Sequence, residues 1–169
     1  NLSVLENLMM VPGNQSGEKI MTALFKPGLV VQEEAVVKEK AKEVVEFLNL
    51  GHLSNELAGN LSGGQKKLLE LGRTMMVDAK LVLLDEVGAG VNRTLLKDLG
   101  TAIEKLNKEK GYTFCMIEHD MDFIGRLCDP VIVMAEGSVL FEGSVDEAKK
   151  DEKVIESYLG RGSKLKDTN

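Results

Sequence analysis

Two short apolar runs separated by one amphipathic helix constrain the fold of this chain more than any other feature. The runs cover Lys80–Leu84 and Tyr112–Ile117, and apolar residues recur at helical spacing between them, over Asn92–Lys108. A largely apolar run of this length is typical of a strand buried in a parallel sheet, which needs a crossover helix between its strands. The sequence therefore predicts an α/β fold with a mainly parallel sheet and flanking helices.

The part of the chain before these runs is predicted to be helical. Ser3 followed by Glu6 is the pattern of a capping box, and apolar residues repeat at helical spacing over Gln32–Leu50, with Gly51 where a helix often ends. The other predicted elements are a loop with one short helix over Pro12–Gly28, a helix from Gly64 to about Val77, a helix over Met121–Leu127, strands over Val131–Ala135 and Ser138–Phe141 that pair antiparallel through a turn at Gly137, and helices over Asp146–Lys150 and Lys153–Leu159.

Composition narrows the classes of function. The chain has 169 residues, of which 43% are hydrophobic and 28% charged, as in ordinary globular proteins, and its net charge of −6 gives no basic surface for nucleic acid. Cys115 and Cys128 lack metal-ligand spacing and are expected to be reduced thiols, which favours a cytosolic setting. No apolar run approaches the ~18 residues of a membrane span and no leader pattern opens the sequence, so we expect any link to a membrane to run through a partner.

Ser62-Gly63-Gly64-Gln65 precedes a predicted helix and suits phosphate binding. The serine can cap the helix, the glycines let a ligand approach the backbone, and the first N–H groups of a helix attract anions. The alternative for these four residues is a plain helix cap after a flexible turn.

Acidic and imidazole side chains follow the two predicted strands. Asp85 and Glu86 come directly after the first strand, and His119 follows the second. Ligands in open α/β sheets bind at the carboxyl ends of strands. Taken singly, the two acids could simply lead into a loop, and the histidine could be a helix cap or a satisfied polar group.

The order and flanks of these motifs resemble the ATPases of ABC transporters. Asn60–Arg73 resembles the signature motif, Leu81–Glu86 the Walker B strand, Ala89–Asn92 the D-loop and Ile117–Met121 the H-loop. The segment from Leu127 to Gly160 is similar to the end of branched-chain amino-acid importer ATPases and of the related urea and amide importers.

The resemblance implies ATP and Mg²⁺ as cofactors and a role for each matching residue. Glu86 would be the general base and His119 would sense the γ-phosphate, while Asp85 would hold the metal. The implied nucleotide-binding residues are Ser62, Gly63, Gly64, Gln65 and Asn92. Val87 stands where the family usually has proline.

The resemblance also implies a partial P-loop NTPase domain. We expect a helical subdomain over residues 1–78, the Walker B and H-loop half of the core over 79–160, and a polar tail over 161–169. The G-x-x-x-x-G-K-[ST] phosphate loop does not occur among these residues, so we expect this polypeptide alone not to hydrolyse ATP.

The implied partners are a second ATPase subunit and transmembrane permease subunits, at the cytoplasmic face of the plasma membrane. The isolated chain is expected to form a homo-oligomer through exposed strands. Three alternatives to a branched-chain amino-acid importer remain: a urea or amide importer, a non-transport ABC ATPase, and an interaction module without a phosphate loop.

Overall fold

A computed structural model of the chain describes residues 2–13 and 15–163, with side chains through residue 157. Eight α-helices and four strands are defined in this part. They are α1 (Val4–Met9), α2 (Ile20–Phe25), α3 (Pro27–Phe47), α4 (Gly63–Met76), β1 (Leu81–Asp85), α5 (Arg93–Lys110), β2 (Thr113–Ile117), α6 (Met121–Leu127), β3 (Val131–Ala135), β4 (Ser138–Gly143), α7 (Val145–Ala148) and α8 (Glu152–Ser163).

These bounds agree closely with the predicted elements, and the largest difference lies at the start of α3. The helix begins at Pro27, five residues before the predicted start at Gln32. Proline is favoured at the first helical position because its fixed φ suits a helix and its missing N–H would have had no intrahelical partner there. The polar tail predicted over 161–169 begins within the last turn of α8, and residues 164–169 lie outside the described residues.

The chain divides into two compact units, Asn1–Cys115 and Met116–Asn169. The first contains α1 to α5 with β1, and the second contains α6, β3, β4, α7 and α8. The predicted division at residues 78 and 79 rests on family resemblance and stays a prediction.

The helical part of the first unit is built around α1, α3 and α4. Ser3 and Glu6 form the predicted capping box at the start of α1, and Leu8 on the same helix is fully buried. The helices approach closely at Gly72 of α4, where a Cβ would lie 2.8 Å from Leu48 Cδ1 and 3.1 Å from Val44 Cγ1. A side chain at position 72 would therefore force the Leu48 and Val44 side chains to shift.

Strands β1 and β2 are hydrogen-bonded neighbours joined through α5. The Thr113 N–H donates to the Lys80 carbonyl over 2.9 Å, so the two strands start side by side and run parallel. Gly111, with φ of 69°, ends α5 in the left-handed conformation that glycine adopts without strain. This arrangement confirms the predicted α/β fold.

One face of β1 is largely exposed, unlike the faces of a strand that is covered on both sides. Val82 is buried, whereas Leu81 and Leu83 are 57% and 73% exposed. Successive side chains of a strand point to opposite faces of the sheet. The face that carries Leu81 and Leu83 is therefore not covered by the described residues.

The second unit is organised around an antiparallel ribbon. Strands β3 and β4 pair from Val131 opposite Gly143 to Ala135 opposite Ser138. The turn residues Glu136 and Gly137 have φ of 50° and 77°, and two consecutive positive φ values are typical of a type I′ hairpin turn. The predicted antiparallel pair with a turn at Gly137 is thus confirmed.

Within the described ranges, no helix combines the length and the apolar character needed to cross a membrane.

Candidate nucleotide site

The predicted phosphate-binding segment forms the N-terminus of α4. Ser62 is the N-cap, and its Oγ accepts a hydrogen bond from the Gln65 N–H over 3.4 Å, while the Gln65 Oε1 accepts from the Ser62 N–H over 2.9 Å. This reciprocal pair is a capping box, which fixes the first turn of the helix. The N–H groups of Gly63 and Gly64, at the first two helical positions, have no intrahelical acceptor, which is the arrangement that favours an anion.

The two acidic residues lie at the carboxyl end of β1. Asp85 is the last residue of the strand, and Glu86 follows in the left-handed region with φ of 45°. Both residues are exposed, whereas the next side chain, Val87, is only 8% exposed. The buried valine anchors the segment directly after Glu86, at the position where proline is usual in the resembled family.

Two consecutive turns lead from Glu86 to α5. The Ala89 N–H donates to the Glu86 carbonyl and the Val91 N–H donates to the Gly88 carbonyl, each over 3.1 Å. The segment ends at Asn92, whose Oδ1 accepts from the Leu95 N–H over 3.0 Å and caps α5. The side chain of Asn92, predicted to bind nucleotide, is therefore engaged as a helix cap.

The structure brings the signature segment against the loop that follows β1. A Cβ built on Gly64 would lie 2.6 Å from Leu95 Cδ1 and 3.1 Å from Val91 Cγ1. A Cβ on Gly63 would meet only the Gly90 carbonyl oxygen, at 3.9 Å. The N-terminal ends of α4 and α5, both capped by side chains, are thus neighbours in the first unit.

His119 lies in the second unit, between β2 and α6. Its side chain is exposed, and the following residue, Asp120, caps α6 by accepting from the N–H groups of Asp122 and Phe123 at 3.0 Å. The place of His119 after an apolar strand agrees with the sequence prediction. Its catalytic role stays a prediction.

A groove of about 190 Å³ runs between α4 and β1 in the first unit. Its walls are mainly apolar, including Leu71, Val82 and Val87, and Asp85 and the Lys67–Glu70 pair contribute polar groups. No cluster of three or more His, Cys, Asp or Glu side chains within the described residues is arranged to hold a metal ion.

The tight packing at Gly64 was not predicted from the sequence. Its partners, Val91 and Leu95, follow the signature motif by more than 25 residues. The sequence predicts that both glycines let a ligand approach the backbone, and this stays a prediction. The missing Cβ of Gly64 also lets α4 pack against Leu95, whereas a Cβ on Gly63 would meet only the Gly90 carbonyl oxygen. The signal that could have suggested the difference is the apolar character of Val91 and Leu95 on either side of a helix cap.

Comparison with known proteins identifies the family. Residues 3–89, more than half of the chain, match the family model described as ABC transporter. The chain is 43% identical over 159 residues to a probable branched-chain amino acid transport ATP-binding protein LivG of Archaeoglobus fulgidus, and 32% identical over 159 residues to the high-affinity branched-chain amino acid transport ATP-binding protein BraF of Pseudomonas aeruginosa. These matches cover 94% of this chain and 60% and 62% of the relatives, so the chain spans somewhat under two thirds of their length.

Solved structures agree with this result. A nucleotide-free ATP-binding cassette from an ABC transporter matches with a TM-score of 0.74 at 38% identity, over 93% of this chain and 62% of that one. The ADP conformation of an ATP-binding cassette of an ABC transporter matches with a TM-score of 0.73 at 38% identity, over 94% of this chain and 63% of that one. The matched family model, the identity to the LivG and BraF relatives and the cassette fold together show that this chain belongs to the ABC transporter family.

Proposed function

We propose that this chain is the C-terminal part of the ATP-binding subunit of an ABC importer for branched-chain amino acids or a similar small solute. The observation that carries the proposal is the juxtaposition of the capped N-terminus of α4 with the loop that follows Asp85 and Glu86. The names of the LivG and BraF relatives, which match over 94% of the chain, support the solute class. Urea or amide uptake is the alternative within this class.

The proposed chemistry is hydrolysis of ATP, with Glu86 as the general base. Its exposed carboxylate, held at the carboxyl end of β1, would accept the proton of the attacking water, and such proton transfer contributes roughly 10²- to 10⁴-fold to a rate. His119 would orient the γ-phosphate and the water. The N–H groups at the start of α4 would bind the γ-phosphate of a nucleotide held by a second ATPase subunit.

Asp85 is the residue that would hold Mg²⁺. Magnesium is bound by one or two carboxylates together with water and substrate phosphates, and an exposed carboxylate at a strand end fits that donor set. The ion would supply charge neutralisation for the phosphate oxygens.

We also propose that the chain by itself does not turn over ATP, because no phosphate loop occurs among its residues. Phosphate release should equal that of the Glu86→Gln variant at every ATP concentration. Turnover by the wild-type chain that Glu86→Gln abolishes would contradict this proposal, and it would at the same time support the role of Glu86.

The proposed permease contact is the helical part of the first unit. Ile20, Met21, Leu24 and Phe25 of α2 are 67% to 78% exposed, and their spacing places them on one side of the helix. An exposed apolar group of this kind marks an interaction surface. Because the helical subdomain is the part that contacts the permease in the resembled family, the proposed occupant is a permease loop.

Crosslinking tests this contact. A photoreactive group at Leu24 should crosslink to a co-expressed branched-chain amino-acid permease, whereas one at Lys105, on the exposed part of α5, should not. Equal yields from both positions would contradict docking through α2.

Transport by the assembled importer tests the solute. Vesicles in which the ATP-binding subunit contains this chain should take up leucine in the presence of ATP, and Glu86→Gln should abolish uptake. ATP-dependent uptake of urea without uptake of leucine would favour the alternative. ATPase activity with no permease and no uptake would favour a non-transport ABC protein.

The finer aspects of location and assembly follow from the same proposal. The chain would lie at the cytoplasmic face of the plasma membrane, bound there by its permease. In isolation it would associate with a second copy through β1, since Leu81 and Leu83 expose an apolar face beside an apolar groove.

A further inference from the structure

The two glycines of the signature segment occupy different environments. Gly64 is buried, and a Cβ built on it would lie 2.6 Å from Leu95 Cδ1, 2.9 Å from Leu95 Cβ and 3.1 Å from Val91 Cγ1. Contacts below 3.0 Å between carbon atoms are strongly repulsive, so any larger residue would have to displace α5 or the loop before it. Gly63 is exposed, and a Cβ there would make one ordinary contact at 3.9 Å.

The partners of Gly64 belong to the segment that connects the catalytic strand to its helix. Val91 ends the two turns that begin at Glu86, and Leu95 is the residue whose N–H the Asn92 cap accepts. Within its own helix, Gly64 lies between Ser62 and Gln65, which form the cap of α4. The contact at Gly64 therefore joins two capped helix ends, and displacement of one would disturb the hydrogen bonds of the other.

We propose that Gly64 is a positioning residue that locks the signature end of α4 onto the segment from Val91 to Leu95, so that the caps at Ser62 and Asn92 move as one body. This inference rests on the proposed function for its consequence. In a nucleotide site shared by two ATPase subunits, α4 would contact the nucleotide bound to the opposite subunit. Asp85 and Glu86 would contact the nucleotide bound to their own subunit. The lock would then transmit a displacement of the loop after Glu86 to the neighbouring nucleotide site.

A double-mutant cycle in the isolated chain tests the lock without nucleotide or permease. Gly64→Ala should raise the unfolding equilibrium constant roughly tenfold, because the new methyl group overlaps Leu95. In the Leu95→Ala background the 2.6 Å contact with Cδ1 is absent while the 2.9 Å contact with the Cβ of residue 95 remains, so the same change should raise the unfolding equilibrium constant by only about threefold. Gly63→Ala is the matched control and should leave stability unchanged or improve it, since alanine is a better helix former than glycine.

Amide hydrogen exchange provides a local measurement of the same lock. Leu95→Ala should speed exchange of the Gln65 amide, which belongs to the cap of the other helix, by roughly fivefold. Leu96→Ala, one residue further along α5, is the control and should leave that amide unchanged. This arm uses wild-type Gly64, so it decides the proposal even where Gly64→Ala does not fold.

Two results would overturn the lock. Gly64→Ala could change the unfolding equilibrium constant by the same factor, to within about twofold, in the wild-type and Leu95→Ala chains. The destabilisation would then arise in the first turn of α4 alone. Alternatively, the Gln65 amide could respond equally to Leu95→Ala and Leu96→Ala. Because neither measurement involves nucleotide or solute, failure of the lock would be distinct from failure of the proposed importer function.

Discussion

Glu33 carries the hydrogen bonds that tie α3 to the short segment before α2. The Ser16 N–H donates to Glu33 Oε2 and the Ser16 Oγ donates to Glu33 Oε1, each over 2.8 Å. These bonds, that from the Ser16 N–H first, lower the pKa of Glu33 below its usual value of 4.5. Since the charged form is favoured in the folded state, the contribution to stability is present above pH 4.5 and is lost as the pH falls through the lowered pKa.

Glu33→Gln should therefore lower stability at pH 7 and reduce its decline at acidic pH, because glutamine does not titrate. The measurement is urea unfolding at neutral pH and at pH values below 4.5. Glu34→Gln removes the same charge one residue away, without the Ser16 bonds, and is the control. A pH profile for Glu33→Gln that matches wild type would show that the Ser16 bonds make no difference.

Val87 has a structural role beside the proposed base. Its side chain is 8% exposed and lines the groove between α4 and β1. Val87→Ala should destabilise the chain by about 1–3 kcal/mol, from lost apolar burial and the space left behind. Chemical denaturation measures the change, with Val77→Ala, at a valine that is 53% exposed, as the control. Equal costs at the two positions would mean that the anchor after Glu86 is not needed for stability.

At the scale of elements, the approach of α4 to α3 and α1 depends on Gly72. A Cβ there would lie 2.8 Å from Leu48 Cδ1 and 3.2 Å from Leu8 Cδ2, both on fully or almost fully buried side chains. Gly72→Ala should destabilise by about 1–3 kcal/mol through overpacking, although alanine favours the helix.

Gly28 provides the matched control for this prediction. It lies in the first turn of α3, and a Cβ there would have no neighbour within 4 Å. Gly28→Ala should stabilise the chain by roughly 0.4–1 kcal/mol, chiefly by restricting the unfolded state. Thermal or denaturant unfolding should thus show that the free energy of unfolding falls for Gly72→Ala and rises for Gly28→Ala. A change of the same sign for both would contradict the packing described for α4.

At the scale of the whole molecule, the exposed face of β1 is expected to drive self-association. Burial of apolar surface contributes about 25 cal/mol per Å², and Leu83 is 73% exposed. Light scattering at high micromolar concentration should give a dimer or larger species for wild type, and Leu83→Lys should shift it toward the monomer. Val36→Lys replaces a helix residue that is 70% exposed and should leave association unchanged. A monomeric wild-type chain would refute the prediction.

Much of the local structure could be predicted because it depends on residues close together in sequence. Ser3 and Glu6, three positions apart, are sufficient to recognise the capping box of α1. The order of strands and helices, and the placement of Asp85 and Glu86 at a strand end, likewise follow from short patterns of apolar and turn residues. The early start of α3 was missed because hydrophobic spacing does not reveal a helix start that is set by Pro27.

The sequence by itself thus determined the elements, their caps and the chemistry of the candidate residues. Only the tertiary structure decided what surrounds them, because packing joins residues that are distant along the chain. Gly63 and Gly64 are identical and adjacent in sequence, yet one is exposed and the other is buried against Leu95. In the same way, Leu81 and Val82 are both apolar residues of β1, and whether each is covered depends on what packs against its face of the sheet.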